Sequence, residues 1–189
     1  MGAVRATNQD AVLPEGEEHG ETGLVAVADG VGGHPGGDIA SRRAVEGIEG
    51  ARGGASVEEL FDAARQRIRE AIIEALDDRP EMLGMATTLT LARLCDGGVI
   101  EIGHTGDSRA YLLTDADLVQ ITEDHTHGMD LVVAGELTIE EARVRPEWHV
   151  LSNFLGFESF RVATHRVPLT PGDRLLLCTD GLTNMLTDA

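Results

Sequence analysis

Three apolar runs in this 189-residue chain stop at an aspartate next to glycine. Leu24-Val25-Ala26-Val27-Ala28 ends on Asp29-Gly30, and Leu175-Leu176-Leu177-Cys178 leads through Thr179 to Asp180-Gly181. Ile102-Gly103-His104-Thr105 turns at Gly106-Asp107. Short apolar runs bounded by glycine are the pattern of buried strands. A carboxylate at a strand end cannot be buried alone, so it needs a cation or strong hydrogen-bond partners. Taken singly, Asp29-Gly30-Val31-Gly32-Gly33 is explained equally well by a plain strand-to-helix turn. Its recurrence, with Asp10 closing Arg5-Ala6-Thr7-Asn8-Gln9-Asp10, points to a fold that gathers acidic oxygen donors at one edge of its sheets.

The segments between these runs set the architecture. Ile39, Ala40, Ala44, Val45 and Ile48 fall on one face of a helix over 38–52. Ser56-Val57-Glu58-Glu59 is a capping box opening a second helix, with Leu60, Ala64, Ile68, Ala71 and Ala75 at helical spacing and Pro80 soon after its end. From Ala86 the texture changes to strands. Ala86–Leu94 and Val99–His104 turn back on each other at Asp96-Gly97-Gly98, and Arg109–Leu113 pairs with Leu118–Ile121. Strands joined as hairpins, not alternating with helices, predict antiparallel sheets. Residues 14–23 read as a polar loop. Residues 126–160 carry a short helix at Met129–Ala134, a second capping box at Thr138-Ile139-Glu140-Glu141 and the single Trp148; they read as a surface flap.

A net charge of −18 argues against non-specific nucleic-acid binding and against docking on anionic membranes. No apolar run reaches membrane-spanning length, and no basic-then-apolar leader opens the chain. The expected location is cytoplasmic, as a whole protein or as a piece of a longer one. Cys95 and Cys178, each among aliphatic residues, are expected as free thiols in a reducing compartment.

Asp10, Asp29, Asp107 and Asp180 offer oxygen only, which suits Mg²⁺ or Mn²⁺ better than Zn²⁺. Two such ions can clamp a phosphate, and an arginine such as Arg5 is the natural companion of that clamp. With Ala86-Thr87-Thr88, Gly106-Asp107-Ser108-Arg109-Ala110-Tyr111, Asp124-His125-Thr126 and Pro171-Gly172-Asp173-Arg174 through Leu182, these segments run over nearly the whole chain. In that order they resemble the metal-dependent Ser/Thr protein phosphatases of type 2C (the PPM family) in their bacterial form. The resemblance implies an α+β fold: a four-layer α-β-β-α sandwich of two antiparallel sheets flanked by helices, one domain over 1–189. It implies hydrolysis of phosphoserine and phosphothreonine on proteins by a hydroxide bridging a binuclear Mn²⁺ or Mg²⁺ site. Carried over residue by residue, Asp29 bridges the metals, Gly30 gives its carbonyl, and Asp10 belongs to the same network. Asp180 binds the second metal, Asp107 a third and weaker one, and Arg5 the phosphate. Phosphorylated Ser/Thr proteins and a cognate Ser/Thr kinase are the implied partners.

The chain departs from the family pattern in three places. Val31 stands where many eukaryotic members have His, so a metal-bound water would protonate the leaving group. Gln9 replaces an acidic residue. The family's last motif, an Asp-Asn pair well beyond the Asp180 position, has no counterpart, since Asp188 lies too near; the C-terminal part of the domain is expected to be missing. That third departure keeps a second reading open: a weakly active or inactive phosphoprotein-binding or regulatory module. His125-Thr126-His127 raises zinc hydrolysis as a further rival.

Overall fold

The computed structural model describes residues 8–14, 23–32, 35–53, 55–156 and 159–186. Two sheets face each other, and every strand pair in them is antiparallel. The larger has five strands in the order β1-β2-β3-β4-β7. These are β1 (Asp10–Leu13), β2 (Leu24–Asp29), β3 (Leu89–Cys95), β4 (Val99–Thr105) and β7 (Ala163–Pro168). The smaller holds β6 (Leu118–Gln120), β5 (Arg109–Leu113) and β8 (Arg174–Cys178), with β5 in the middle. The expected hairpins are present, each strand within a few residues of its apolar run.

Period-two alternation assigns the faces of the large sheet. Leu24, Ala26, Ala28, Leu89 and Leu91 pack with the helices, while Ala92, Ile100 and Ile102 meet Ala110, Leu175 and Leu177 of the small sheet. Both long helices, α1 (Gly37–Ala51) and α2 (Val57–Ala75), lie on the outer face of the large sheet. Ser56 caps α2 as its sequence predicts: its hydroxyl accepts from Glu59 N–H at 3.2 Å, and the Glu59 carboxylate accepts from Ser56 N–H at 2.7 Å. The stripe Leu60, Phe61, Ala64, Ile68 and Ile72 is fully buried. Aliphatic residues fill this layer, with Phe61 the large aromatic exception, stacked 6.0 Å from Phe160.

Two glycines let the layers approach. A Cβ on Gly103 of β4 would lie 2.4 Å from Val57 and 2.6 Å from Phe61, so α2 sits directly on that strand. A Cβ on Gly47 of α1 would lie 2.6 Å from the Ala63 carbonyl oxygen and 2.8 Å from Ala64 Cα. The second clash is with helix backbone, which cannot rotate away. Gly47→Val should therefore push α1 off α2 and destabilise the fold by about 1–3 kcal/mol, the usual range for overpacking. The accompanying gain in helix propensity, under about 1 kcal/mol, is too small to offset it. Urea unfolding monitored by circular dichroism measures the difference.

Candidate active site

The antiparallel order brings the carboxylates together. β1 and β2 pair with Asp10 directly opposite Asp29, so both side chains leave the same face at the same end of the sheet. That face looks toward the small sheet, where β8 ends at Cys178 and Asp180 opens the short helix α5 (Asp180–Thr183). The Thr179 hydroxyl lies 3.5 Å from an Asp10 carboxylate oxygen. β4 leaves the large sheet at Thr105 and β5 enters the small one at Arg109, so Asp107 sits on the turn that joins them. Gly106 makes that turn with φ 108°, a left-handed conformation costly to other residues, and a Cβ there would strike Thr88 at 2.6 Å. Asp10, Asp29, Asp107 and Asp180 are thus gathered at one end of the sandwich. Arg5 and His34 lie outside the described residues.

Backbone and hydroxyl groups hold Asp29 in place. Its N–H donates to the Thr88 hydroxyl at 3.0 Å, and its carbonyl accepts from Thr88 N–H at 2.8 Å and from the Thr87 hydroxyl at 2.9 Å. The Thr88 and Ser108 hydroxyls are 2.7 Å apart and the Thr90 hydroxyl donates to the Ser108 carbonyl at 3.0 Å, so Thr88, itself bonded to Asp29, ties that strand end to the Asp107 turn. Gly30 N–H donates to the Gln9 carbonyl at 3.0 Å. A Cβ on Gly30 would meet the Gly37 backbone at 2.3 Å, so only glycine fits between β2 and α1.

Among the described residues, burial and mutual repulsion outweigh the compensation these carboxylates receive, which for Asp107 includes the charge of Arg109. Burial, then the charges of Asp10 and Asp180, push the Asp29 carboxyl up to about 8. Burial, then Asp180 and Asp124, push Asp107 up to about 7. Among the described residues no three carboxylate, imidazole or thiolate groups enclose an ion unaided; the donors face one another across an open cleft. The set is all oxygen, mutually repulsive and partly buried, which fits hard divalent cations and gives Zn²⁺ no soft ligand. Two cavities of about 540 and 570 Å³ open on it, both bordered by Asp107, His149 and Asp180.

Among the described residues no histidine belongs to a cluster that could hold a metal ion. His104 is fully buried; its Nε2 donates to the Glu123 carbonyl at 3.0 Å, its Nδ1 lies 2.9 Å from the Thr90 hydroxyl, and its ring stacks on His125 at 4.7 Å. His125 Nδ1 accepts from Gly106 N–H at 3.2 Å and lies 3.1 Å from the Asn153 amide nitrogen. Both rings brace the base of the flap. Cys95 and Cys178 form no disulfide, Cys178 being buried and Cys95 half-buried.

The flap contains two short helices, α3 (His127–Val133) and α4 (Ile139–Arg143), then a 3₁₀ turn at Pro146–His149. Its legs are closed by backbone bridges: Thr126 pairs with Leu151, and Leu155 pairs with Thr87, which also pairs with Gly30. The return leg is thereby wired to the Asp29 strand end. At the other leg, Arg109 grips Asp124 through two bonds of 2.7 and 2.6 Å and reaches Tyr111 Oη at 2.9 Å. In the sequence, Arg109, Asp124 and Thr88 stand inside motifs that carry no sign of their roles. Their partners lie 15 and 20 residues away, and only the fold pairs them.

Two measurements test this framework. Arg109 and Asp124 are 13% and 7% exposed, so Arg109→Met would leave a buried carboxylate uncompensated and cost about 3–5 kcal/mol in urea unfolding. Burial, then His125, push the His104 imidazole down to about 3 from an ordinary 6.5. The unfolded chain therefore takes up a proton that the folded chain refuses. This contribution to stability is fully present above pH 6.5 and is lost as the pH falls toward 3. It should remove about 2 kcal/mol between pH 7 and pH 5, and the His104 ring signals in NMR should not titrate over that interval.

The sequence matches the family Protein phosphatase 2C over residues 3–189. It is 38% identical over 191 residues to the serine/threonine protein phosphatase PstP of Mycobacterium tuberculosis, covering 99% of this chain and 36% of that protein. It is 36% identical to the serine/threonine phosphatase Stp of Listeria innocua, covering 100% of this chain and 77% of that one. The chain thus spans about a third of the length of its mycobacterial relative. The fold superposes on a crystal structure of the M. tuberculosis phosphatase with a TM-score of 0.82 at 36% identity, over 99% of this chain and 78% of that chain. A structure of the PstP catalytic domain with two manganese ions gives 0.79 at 36% identity, over 99% and 77%.

Proposed function

The chain belongs to the protein phosphatase 2C family, and from that premise we propose that it hydrolyses phosphoserine and phosphothreonine on proteins. The observation that carries the proposal is the convergence of Asp10, Asp29 and Asp180 from both sheets on one cleft. Asp29 would hold both of two Mn²⁺ or Mg²⁺ ions and Gly30 would add its carbonyl, with Asp10 around them and Asp180 on the second. Asp107, on its own turn, would hold a third. When bound, the ions supply the activated water and neutralise the phosphate charge. The chain's own work is to fix the donors. Thr87 and Thr88 lock the Asp29 backbone, the Thr88–Ser108 bond fixes the Asp107 turn against it, and the flap walls one side. Arg5 would grip the phosphate oxygens. A phosphorylated protein is the substrate best suited to an open cleft of this size, and a Ser/Thr kinase acting on the same proteins is the fitting counterpart. The supporting neighbour is the manganese-bound PstP catalytic domain. We also propose a cytoplasmic site of action; no helix among the described residues is long and apolar enough to cross a membrane.

Hydrolysis of p-nitrophenyl phosphate and of phosphothreonine peptides should require Mn²⁺ or Mg²⁺, stop with EDTA, and not be restored by Zn²⁺ alone. Activity that survives EDTA, or rises only with Zn²⁺, would overturn the metal assignment. Asp29→Ala should lower turnover by at least about a hundredfold, beyond what losing an outer-shell group costs. Asp107→Ala should cost less, and Arg5→Ala should mainly raise KM. Equal losses for the two aspartate variants would reverse the ranking of the sites.

A further inference from the structure

The phosphatase reading leaves one arm of the cleft without a task. The cavity of about 570 Å³ that begins over Asp29 and Gly30 is walled by Leu83, Met85, Val150, Leu151 and Phe154. Met85 is buried in the floor. Leu83, from the 3₁₀ turn Pro80–Gly84, and Val150 and Phe154, at the flap's return leg, stay 50%, 47% and 41% exposed. Single exposed apolar side chains are ordinary on a protein surface, but three gathered in one concavity mark a binding surface. The neighbouring cavity is different in chemistry, with Arg143, Trp148, Thr183 and Asn184 in its wall. Because both cavities share Asp107, His149 and Asp180, the carboxylates lie between an apolar arm and a polar one.

We propose that the apolar arm is a specificity pocket. It takes a large aliphatic or aromatic side chain of the substrate protein, one or two residues from the phosphorylated Ser or Thr. The proposal rests on the phosphatase reading and names the substrate that this reading leaves open. The pocket is continuous with the carboxylate site. Asp29, Gly30, Asp107 and Asp180 line the cavity themselves, so whatever fills it is in contact with the reaction centre. Successive Cα atoms are about 3.8 Å apart, so the residues flanking a phosphoryl group held at Asp29 and Asp180 reach this space and little further. The cavity falls in the size range of small-ligand pockets, about 300–1,000 Å³, enough for one large side chain with its backbone. Beside its floor, the Thr87–Leu155 pairing ties the return leg of the flap to the Asp29 strand end.

The test uses fluorescence anisotropy in Mn²⁺ with labelled peptides carrying a non-hydrolysable phosphonate analogue of phosphothreonine. Each pair of peptides differs only by Leu or Ser at one of the two positions on either side. Hydrolysis of p-nitrophenyl phosphate by the unaltered protein is followed in parallel. The expected result is about tenfold tighter binding of Leu over Ser at one flank, the scale of discrimination by an apolar pocket. That ratio should fall toward one in the double variant Leu83→Ser/Phe154→Ser, and partway in Val150→Ser, which keeps the test alive if the double variant does not fold. Equal affinities for Leu and Ser peptides at every flank, or a ratio that survives these substitutions, overturn the pocket. Failure of the unaltered protein to hydrolyse p-nitrophenyl phosphate strikes the phosphatase reading instead, and the affinity ratio reads the pocket in either case.

Discussion

The repulsion among carboxylates at one end of the sandwich is the constraint on which the rest of the structure depends. Asp10 faces Asp29 by strand register, and Asp180 arrives from the other sheet. Left to themselves such groups would separate or take up protons; burial first, and the neighbouring carboxylates second, raise Asp29 and Asp107 above the ordinary carboxylate range. The fold answers with rigidity. Asp29 is bonded through its own backbone to Thr87 and Thr88, and Thr88 is bonded to Ser108 beside Asp107. The cost of the arrangement is offset by the ladders and by the helix packing behind the cleft, where Leu91, Ile68 and Phe61 are completely buried.

Helix α1 illustrates how close packing serves the site. It begins at Gly37, whose backbone touches Gly30, and it lies on α2 through Gly47. A larger residue at either contact would displace the helix and with it the strand end that carries Asp29. The aliphatic composition of this layer has the same consequence. Small side chains such as Ala28, Ala40, Ala44 and Ala64, all wholly buried, let sheet and helices approach until backbone atoms themselves set the spacing.

Much of this was legible in the residues. The Asp-Gly endings marked the strand ends, the Ser56 and Thr138 capping boxes marked helix starts, and Gly97 and Gly98 marked a hairpin, because each of these signals is local. The motif resemblance supplied the order of the carboxylates. Contacts between distant segments left no local trace. Arg109 looked like one more charged strand residue until Asp124 stood beside it. His125 carried a two-apart histidine pattern that suggests a metal, yet it accepts a bond from Gly106 and steadies the flap. The apolar arm joins Leu83 to Val150 and Phe154, which come from a distant part of the sequence, so only the fold brings them together.

The flap's attachment has a consequence for how such a protein can change over time. Both legs are closed by main-chain pairing, Thr126 with Leu151 and Leu155 with Thr87, and main-chain pairing is indifferent to the side chains carried between. The residues between Thr126 and Leu151 can therefore be rewritten, lengthened or exchanged between lineages while the carboxylates keep their places. Selection can retune what the cleft admits by editing a cassette and leave the hydrolytic chemistry, held by the sheets, unaltered.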